Sequence, residues 1–139
     1  MNVDAELTKA ALSDDGWLMS SDLGYFDDAG NLVLVGRSTD MYIRGGYNVY
    51  PLEVENVLVE HPGVAQASVV GLATSVIGEI GVAFIVPAEP EAVPTLQELR
   101  VWCQQRLADY KAPDRLEILG QLPLTGMLKI DKMALRARL

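Results

Sequence analysis

The alternation of apolar and polar residues predicts two extended segments early in the chain. Apolar stretches at residues 17–26 and 32–35 flank a turn rich in aspartate, glycine and asparagine at residues 27–31. Two apolar runs around such a turn are typical of a β-hairpin. Ahead of them, residues 4–12 favour a short helix because they contain alanine and leucine.

Residues 41–59 carry the signals of a short strand, a break and a helix. Residues 41–43 are apolar and extended, and Gly45-Gly46 interrupts them. Pro51 predicts the first turn of a helix, because its fixed φ and missing N–H are tolerated there. The apolar face of this helix is formed by Val54, Val57 and Leu58.

β-branched apolar runs at residues 64–72 and 80–86 predict the main strands, and residues 115–119 predict a third. The predicted fold is therefore α+β: a small mixed or antiparallel sheet of about three strands with flanking helices, preceded by the β-hairpin.

Two further helices are indicated by their start signals. Thr95 and Glu98 have the spacing of a capping box, and Asp131 begins a final helix that runs to residue 139. A length of 139 residues suits one domain, or one compact domain plus an appendage. Because Met1 begins abruptly in a polar, helix-like stretch, we hypothesise that the chain is a piece of a longer protein.

Composition narrows the possible partners. Half of the residues are apolar, and the net charge of −8 without a long basic run argues against nucleic acid or an anionic membrane surface. No apolar run reaches the roughly 20 residues that a membrane-spanning helix needs. The single cysteine, Cys103, allows no internal disulfide and no cysteine-built metal site, and it fits a reducing cytoplasm.

Charge is distributed unevenly along the chain. Residues 51–100 contain seven glutamates and one arginine, a net charge of −6, whereas residues 126–139 carry a net charge of +3. The cations of the last helix, Lys132, Arg136 and Arg138, are interpreted as solvated groups that complement the helix dipole. Lys129 differs because it precedes that helix in a loop, from which it can be delivered into a site as a point charge.

Three further positions are candidates for ligand binding, and each has an ordinary structural alternative. Asp22 either caps a turn or grips the paired hydroxyls of a ribose. Arg37 either reaches a ribose or phosphate or pairs with one of the many acids. Gly45-Gly46 is either an ordinary turn or a place where backbone approaches a ligand closely. His61, the only histidine, is predicted to be a cap or surface residue.

Several kinds of site are excluded by the residues that the chain lacks. One histidine without a suitable setting cannot supply a Ser-His-Asp set. The sequence also contains no metal-ligand cluster and no Walker-type phosphate loop.

Four segments, in this order, resemble the adenylate-forming superfamily of AMP-dependent synthetases and ligases. That superfamily comprises acyl- and aryl-CoA ligases, adenylation domains of peptide synthetases, and luciferases. GWLMSSDLG at residues 16–24 resembles the family's GWxxTGDLG segment, and GRSTDMYIRGGYNVYPLEVE at residues 36–55 resembles the hinge segment of CoA ligases. Residues 78–87 match the strand pair that follows. LADYKAP and LPLTGMLKIDKMALR resemble the closing segments with the Thr-x-x-Gly-Lys step.

The resemblance implies a division of the chain into two parts. Residues 1–39, with the hairpin, would be the last piece of a large N-terminal AMP-binding domain, and residues 40–139 would be the C-terminal lid domain. The phosphate loop of the large domain is absent from the sequence. The chain would therefore be a fragment, inactive alone, whose partner is the N-terminal AMP-binding domain of the same parent chain.

The resemblance also implies a reaction in two halves. A carboxylic acid attacks the α-phosphorus of ATP, which gives an acyl-adenylate and pyrophosphate, and the thiol of CoA or of a carrier protein then displaces AMP. The cofactors implied are ATP or AMP, CoA and Mg²⁺, with none bound to the fragment. The implied setting is a cytoplasmic acyl-CoA synthetase of fatty acid metabolism.

Site residues follow from the resemblance by position. The catalytic residue would be Lys129, which enters the site in the first half-reaction only. The other implied roles are nucleotide binding by Asp22 and Arg37, a hinge at Asp40, and the pantetheine path at Gly45 and Gly46. No metal ligand is implied.

Two alternative functions share these motifs. One is an adenylation domain of a peptide synthetase that loads a carrier protein, and the other is a binding or regulatory module with the same fold but no chemistry. Ser21 and Leu128 stand where the family has glycine. If the glycine at position 128 supplies an unusual backbone angle, leucine resists that angle.

Overall fold

The computed structural model describes residues 5–139, so position 4, where the first predicted helix begins, lies outside the described residues. The elements in chain order are α1 Ala5–Ala11, β1 Asp22–Phe26, β2 Leu32–Arg37, β3 Tyr42–Arg44, β4 Tyr47–Val49, α2 Pro51–Val59, β5 Val64–Thr74, β6 Gly78–Pro87, α3 Leu96–Gln104, a 3₁₀ turn Asp109–Lys111, β7 Arg115–Ile118 and α4 Lys132–Arg136.

The predicted hairpin is present and forms a sheet of its own. β1 and β2 pair antiparallel, with Asp22 opposite Arg37 at the open end. The turn is closed by Asp27, whose carboxylate accepts the backbone N–H groups of Ala29 at 3.0 Å and Asn31 at 2.8 Å. The hydrogen bond from the Asn31 side chain is the main reason that the pKa of Asp27 lies below its usual value.

The second sheet has five strands where about three were expected. Four strands pair antiparallel in the order β4-β3-β6-β5. The fifth strand, β7, pairs parallel with β6. The three predicted strands are β5, β6 and β7, and the α+β class is confirmed. β3 and β4 contain three residues each, which is too short to show a period of two in the sequence.

Both faces of this sheet are covered, which explains why β5 and β6 read as continuous apolar runs. Neighbouring residues of a strand point to opposite faces, so Val69 joins one core and Val70 the other. α2 and α3 cover the first face. Leu122 and Leu135, from the C-terminal segment, cover the second.

The helix start signals are confirmed, although the last helix ends early. The Thr95 hydroxyl accepts the N–H of Glu98 at 3.2 Å, and the Glu98 carboxylate accepts the N–H of Thr95 at 2.8 Å. The Asp131 carboxylate accepts the N–H of Ala134 at 3.0 Å and so caps α4. α3 ends at Gln104, and α4 ends at Arg136 rather than at residue 139.

Tyr42, just after the connection between the two sheets, is 1% exposed and packs on two opposed glycines of β5 and β6. A Cβ at Gly71 would lie 2.5 Å from Tyr42 Cβ, and one at Gly81 would lie 2.3 Å from the Tyr42 hydroxyl. Both positions therefore require glycine. Among residues 5–139 the Tyr42 hydroxyl has no hydrogen-bond partner, and burial raises the pKa of this phenol.

Replacing Tyr42 with phenylalanine is expected to raise the free energy of unfolding by about 1 kcal/mol, because an unpaired hydroxyl no longer has to be desolvated. Urea unfolding of the chain measures the change. Tyr25→Phe is the matched control, since Tyr25 is 56% exposed and should show no change. Destabilisation by Tyr42→Phe would mean that the hydroxyl contributes to the core.

Candidate functional site

Two of the predicted site residues meet at the open end of the hairpin. Arg37 Nε lies 3.2 Å from Asp22 Oδ1, and the two side chains are 57% and 48% exposed. Arg37 Nη2 also donates to the Ser20 carbonyl at 3.5 Å. Asp22 thus forms an ion pair with Arg37, and both side chains remain exposed to solvent. The ion pair leaves carboxylate and guanidinium together where a ligand can reach them.

Lys129 is presented by a tight loop. Thr125 N–H donates to the Lys129 carbonyl at 2.7 Å, and Lys129 N–H donates to the Thr125 hydroxyl at 3.3 Å. Leu124 and Ile130 form a bridge that closes the base of the loop. Within residues 5–139, no hydrogen bond or ion pair holds the Lys129 ammonium group, and the residue is exposed. Its cation is therefore available for a ligand.

The two positions that differ from the family's glycines keep glycine-type backbone. Ser21 has a φ of 66° and Leu128 a φ of 60°, and across residues 5–139 no other non-glycine residue has a positive φ. The left-handed region costs an ordinary L-residue about 1–2 kcal/mol. Leu128 is 80% exposed, so it gains little packing in return. The loop that carries Lys129 is thus built with the geometry that glycine would adopt freely.

Leu128→Gly is expected to raise the free energy of unfolding of the chain by about 0.5–1 kcal/mol, because relief of the left-handed strain exceeds the entropy that glycine adds to the unfolded state. Met127→Gly is the matched control. Met127 is 78% exposed in the same loop but has no positive φ, so glycine should destabilise there. Thermal unfolding compares the two, and equal losses would show that Leu128 is not strained.

Asp40 lies in the four-residue connection between the two sheets, at residues 38–41. Its N–H donates to the Arg37 carbonyl at 3.1 Å, and its carboxylate is 28% exposed. A carboxylate oxygen of Asp40 lies 3.9 Å from Lys132 Nζ. The predicted hinge residue is therefore at the junction that a relative rotation of the two sheets would use.

The interpretation of Lys132 as a solvated helix-end cation is wrong. Its side chain is 19% exposed, and its ammonium group donates to Glu55 at 2.7 Å and to the Val69 carbonyl at 3.2 Å. Glu55 lies 77 positions away in the sequence, so no local pattern indicated the pair. Arg136 and Arg138 are exposed, as expected.

Gly45 and Gly46 form the two-residue turn between β3 and β4. Their φ values are +57° and +87°, as hairpin turns of the mirror-image types require. A Cβ at either position would meet open space, so internal packing does not exclude a side chain there. The rings of Tyr47 and Tyr110 stack beside this turn with centroids 4.6 Å apart. The ordinary-turn interpretation is correct, and the backbone of the turn is also free to approach a ligand.

A partly buried charge cluster was not predicted from the sequence. Arg44 donates twice to Asp114, at 2.8 and 2.6 Å, and Arg100 Nη1 lies 3.5 Å from the same carboxylate. The N–H of Gly81 donates to it at 3.2 Å. These contacts tie β3, α3 and β6 to the segment before β7. Lys111 similarly holds Glu53 of α2 at 2.6 Å.

Residues 5–139 contain neither a metal-binding group nor a membrane-spanning helix. Across residues 5–139, no three histidine, cysteine, aspartate or glutamate side chains are grouped so that they could hold a metal ion. In the same part of the chain, every helix is too short or too polar to cross a membrane.

Solved structures share this fold. The chain is 32% identical to ATP-bound MatB from Rhodopseudomonas palustris, with a TM-score of 0.86 over 97% of this chain and 27% of that one. Apo MatB from the same organism gives a TM-score of 0.74 at 33% identity, over 96% of this chain and 26% of that one. Coverage and identity are nearly equal in the two comparisons, whereas the TM-score is higher for the ATP-bound structure. The arrangement in this chain is therefore nearer to that of the ATP-bound structure.

Curated relatives are CoA ligases. A methyl-dioxo-octahydroindenyl propanoyl:CoA ligase of Mycobacterium tuberculosis is 42% identical over 96% of this chain and 26% of its own length. The 2-succinylbenzoate–CoA ligase of Bacillus cytotoxicus is 41% identical over 88% of this chain and 25% of its own length. The chain thus spans about a quarter of the relatives that it matches.

Residues 53–129 match the model of one protein family, described as the AMP-binding enzyme C-terminal domain. The match begins in α2 and ends at Lys129, in the loop at residues 124–130 that we call the lysine loop. It includes more than half of the chain. With the fold and the relatives in agreement, the chain belongs to the family of AMP-binding enzyme C-terminal domains.

Proposed function

We propose that this chain is the C-terminal part of an AMP-forming acyl- or aryl-CoA ligase, in which it delivers Lys129 to the reacting phosphate. The observation that carries the proposal is the exposed ammonium group of Lys129 on a closed loop, which has no partner among residues 5–139, in a chain of this family. A cation without an internal partner is free to stabilise negative charge that accumulates at phosphorus.

The proposal divides the chain at the connection between the two sheets. Residues 1–39 form the end of the large AMP-binding domain, and residues 40–139 form the lid. The hairpin supports this division, because it has a sheet of its own and exposes large apolar side chains. These include Phe26 at 73% and Leu32 at 61% exposure. Such a surface is expected to be covered by the large domain of the same parent chain.

In the first half-reaction the carboxylate substrate attacks the α-phosphorus of ATP, and pyrophosphate leaves. Lys129 contacts the oxygens that gain charge, Asp22 accepts hydrogen bonds from the ribose hydroxyls, and Arg37 orients Asp22 through their ion pair. The better superposition on ATP-bound MatB than on apo MatB supports assigning the present arrangement to this half-reaction.

In the second half-reaction the lid turns about Asp40, which withdraws Lys129 and brings the β3–β4 turn towards the adenylate. The thiol then attacks the acyl carbon and AMP leaves. Gly45 and Gly46 line the pantetheine path, because the space where side chains would stand is open. Rotation of a lid about a few connecting residues is a common way to complete a site in stages.

The remaining parts of the proposal concern cofactors and setting. The parent enzyme uses Mg²⁺ with ATP, and residues 5–139 contain no group of three histidine, cysteine, aspartate or glutamate side chains that could hold the ion. Fatty acid metabolism in the cytoplasm is the proposed setting. Similarity to CoA ligases supports the transfer of an acyl group to CoA, and the free, buried Cys103 fits a reducing compartment.

One alternative function differs in the acceptor and another in having no chemistry. An adenylation domain of a peptide synthetase would present the same loop but pass its acyl group to a carrier protein. A non-catalytic module would have no need to hold Leu128 at a φ of 60° in front of a free lysine. The strained backbone therefore favours the catalytic proposals, and the CoA ligase relatives favour CoA as acceptor.

The isolated chain is expected to catalyse no ATP–pyrophosphate exchange with any carboxylic acid, whereas the same chain joined to its large AMP-binding domain does so. The reason is that the chain contains Lys129 and Asp22, the carboxylate proposed to bind the ribose, but its sequence contains no phosphate loop. Thioester formation from CoA and from a carrier protein, measured on the joined enzyme, separates the ligase from the peptide-synthetase alternative. Exchange by the isolated chain would contradict the proposal.

A further inference from the structure

Lys132 joins the lysine loop to the body of the lid. It is the first residue of α4, three positions after Lys129, and its ammonium group donates to Glu55 of α2 and to the Val69 carbonyl of β5. Glu55 also accepts the Val69 N–H at 2.8 Å, so these contacts form one closed unit. The base of α4, and with it the end of the lysine loop, is therefore fixed to the lid.

The same ammonium group faces the hinge. A lysine ammonium has three hydrogens to donate, and Glu55 and Val69 use two of them. Neither group uses the third, and a carboxylate oxygen of Asp40 lies 3.9 Å from the Lys132 nitrogen. Lys132 and Asp40 are 19% and 28% exposed, so solvent screens their attraction only in part. One cation thus contacts both the lid body and the connection about which the lid turns.

We propose that Lys132 is a positioning residue for adenylate formation, which holds the Asp40 carboxylate so that the lid stays in the orientation that presents Lys129. The inference rests on the proposed function. Rotation about Asp40 moves its carboxylate relative to α4, whereas the contacts of Lys132 with Glu55 and Val69 lie within the lid and persist. The hinge contact therefore belongs to one lid orientation, and it opposes departure from that orientation.

The chain's similarity to two MatB structures gives independent support. Its arrangement, which includes the Lys132–Asp40 contact, is nearer to ATP-bound MatB than to apo MatB. The two MatB structures differ over the residues that this chain covers. An ion pair that favours the lid orientation for adenylate formation is expected to be present in an ATP-bound-like arrangement. The Lys132–Asp40 contact meets this expectation.

The test is a double-mutant cycle in the enzyme that carries this chain, with Lys132→Gln, Asp40→Asn and the combination. Each single change is expected to lower ATP–pyrophosphate exchange about 3- to 10-fold, the range of a partly shielded ion pair that biases an equilibrium. The double variant should lose no more exchange activity than the more impaired of the two single variants, because both changes remove the same contact. Thioester formation from supplied acyl-adenylate should stay within about twofold, since that step does not use this orientation.

Glu55→Gln is the control for a purely structural role. It removes the charge of Glu55 but keeps a side-chain oxygen that can accept a hydrogen bond from Lys132, so the ammonium group stays near the unchanged Asp40 carboxylate. It is expected to lower thermal stability and to affect both half-reactions equally. Equal losses in the two half-reactions from Lys132→Gln and Asp40→Asn, or losses that multiply in the double variant, would overturn the inference. If Lys132→Gln fails to fold, the half-reaction ratio of Asp40→Asn decides alone.

Failure of this inference can be separated from failure of the proposed function. Lys129→Ala is assayed in the same two half-reactions. If it spares adenylate formation, the proposed function is wrong and so is the inference. If it selectively impairs adenylate formation while Lys132 and Asp40 show no coupling, the proposed function stands and only the inference fails.

Discussion

Lys129→Ala in the enzyme that carries this chain is expected to slow adenylate formation about 100- to 1,000-fold, the usual loss when one group that stabilises transition-state charge is removed. Thioester formation from supplied acyl-adenylate should change little, because the lid has by then withdrawn the lysine. Lys129 has no internal partner within residues 5–139, so its removal leaves no uncompensated charge and the fold should be unaffected. ATP–pyrophosphate exchange and single-turnover thioester formation measure the two halves.

Arg138→Ala is the matched control for this experiment. Arg138 is an exposed cation of the same C-terminal segment, so the change removes the same charge without touching the loop. Its exchange rate should remain close to that of the unchanged enzyme. Lys129→Arg tests geometry, because a planar guanidinium keeps the charge but not the compact ammonium. Equal losses in both half-reactions from Lys129→Ala would refute the role assigned to the lysine.

The features that sequence predicted correctly are local ones. The hairpin turn, the capping box of Thr95 and Glu98, and the helix start at Pro51 each depend on residues within a few positions of one another. The lysine loop is also a local feature. Lys129 was expected to lie on a loop before the last helix, and it does. Leu128 was expected to resist a glycine-type backbone angle, yet it adopts a φ of 60°.

The features that sequence missed depend on contacts between distant positions. Lys132 carries no local mark that separates it from Arg136, and only folding brings Glu55 to it across 77 positions. Arg44 and Asp114, which are 70 positions apart, are equally invisible in the sequence. Because seven glutamates lie between residues 51 and 100, charge alone could not say which of them meets a cation. The hinge contact of Lys132 was therefore not predictable before the fold was known.

The Asp114 cluster predicts the largest change in stability. Asp114 is 17% exposed and receives hydrogen bonds from Arg44 and from the Gly81 N–H, with Arg100 close by. Asp114 is the counter-charge of two partly buried arginines, so Asp114→Ala is expected to lower the free energy of unfolding by about 3 kcal/mol, the low end of the range for buried pairs. In a chain of this size that is a fall in Tm of about 6–12 °C. Glu117→Ala is the control, because its pair with Arg115 is exposed and should contribute less than about 1 kcal/mol.

The same carboxylate predicts how the difference depends on pH. Burial by itself raises the pKa of Asp114, but the hydrogen bonds and charge of Arg44, with the Gly81 N–H, hold the pKa below its usual value. Since the folded pKa is depressed, the stabilisation is fully present above the unfolded pKa of about 4 and is lost as pH falls through the folded pKa. The stability difference between the unchanged chain and Asp114→Asn should therefore be constant from pH 7 to 5 and shrink below pH 4. Urea unfolding of both proteins at each pH measures it, and a difference that stays constant down to pH 2 would show that the carboxylate is not stabilised by its arginines.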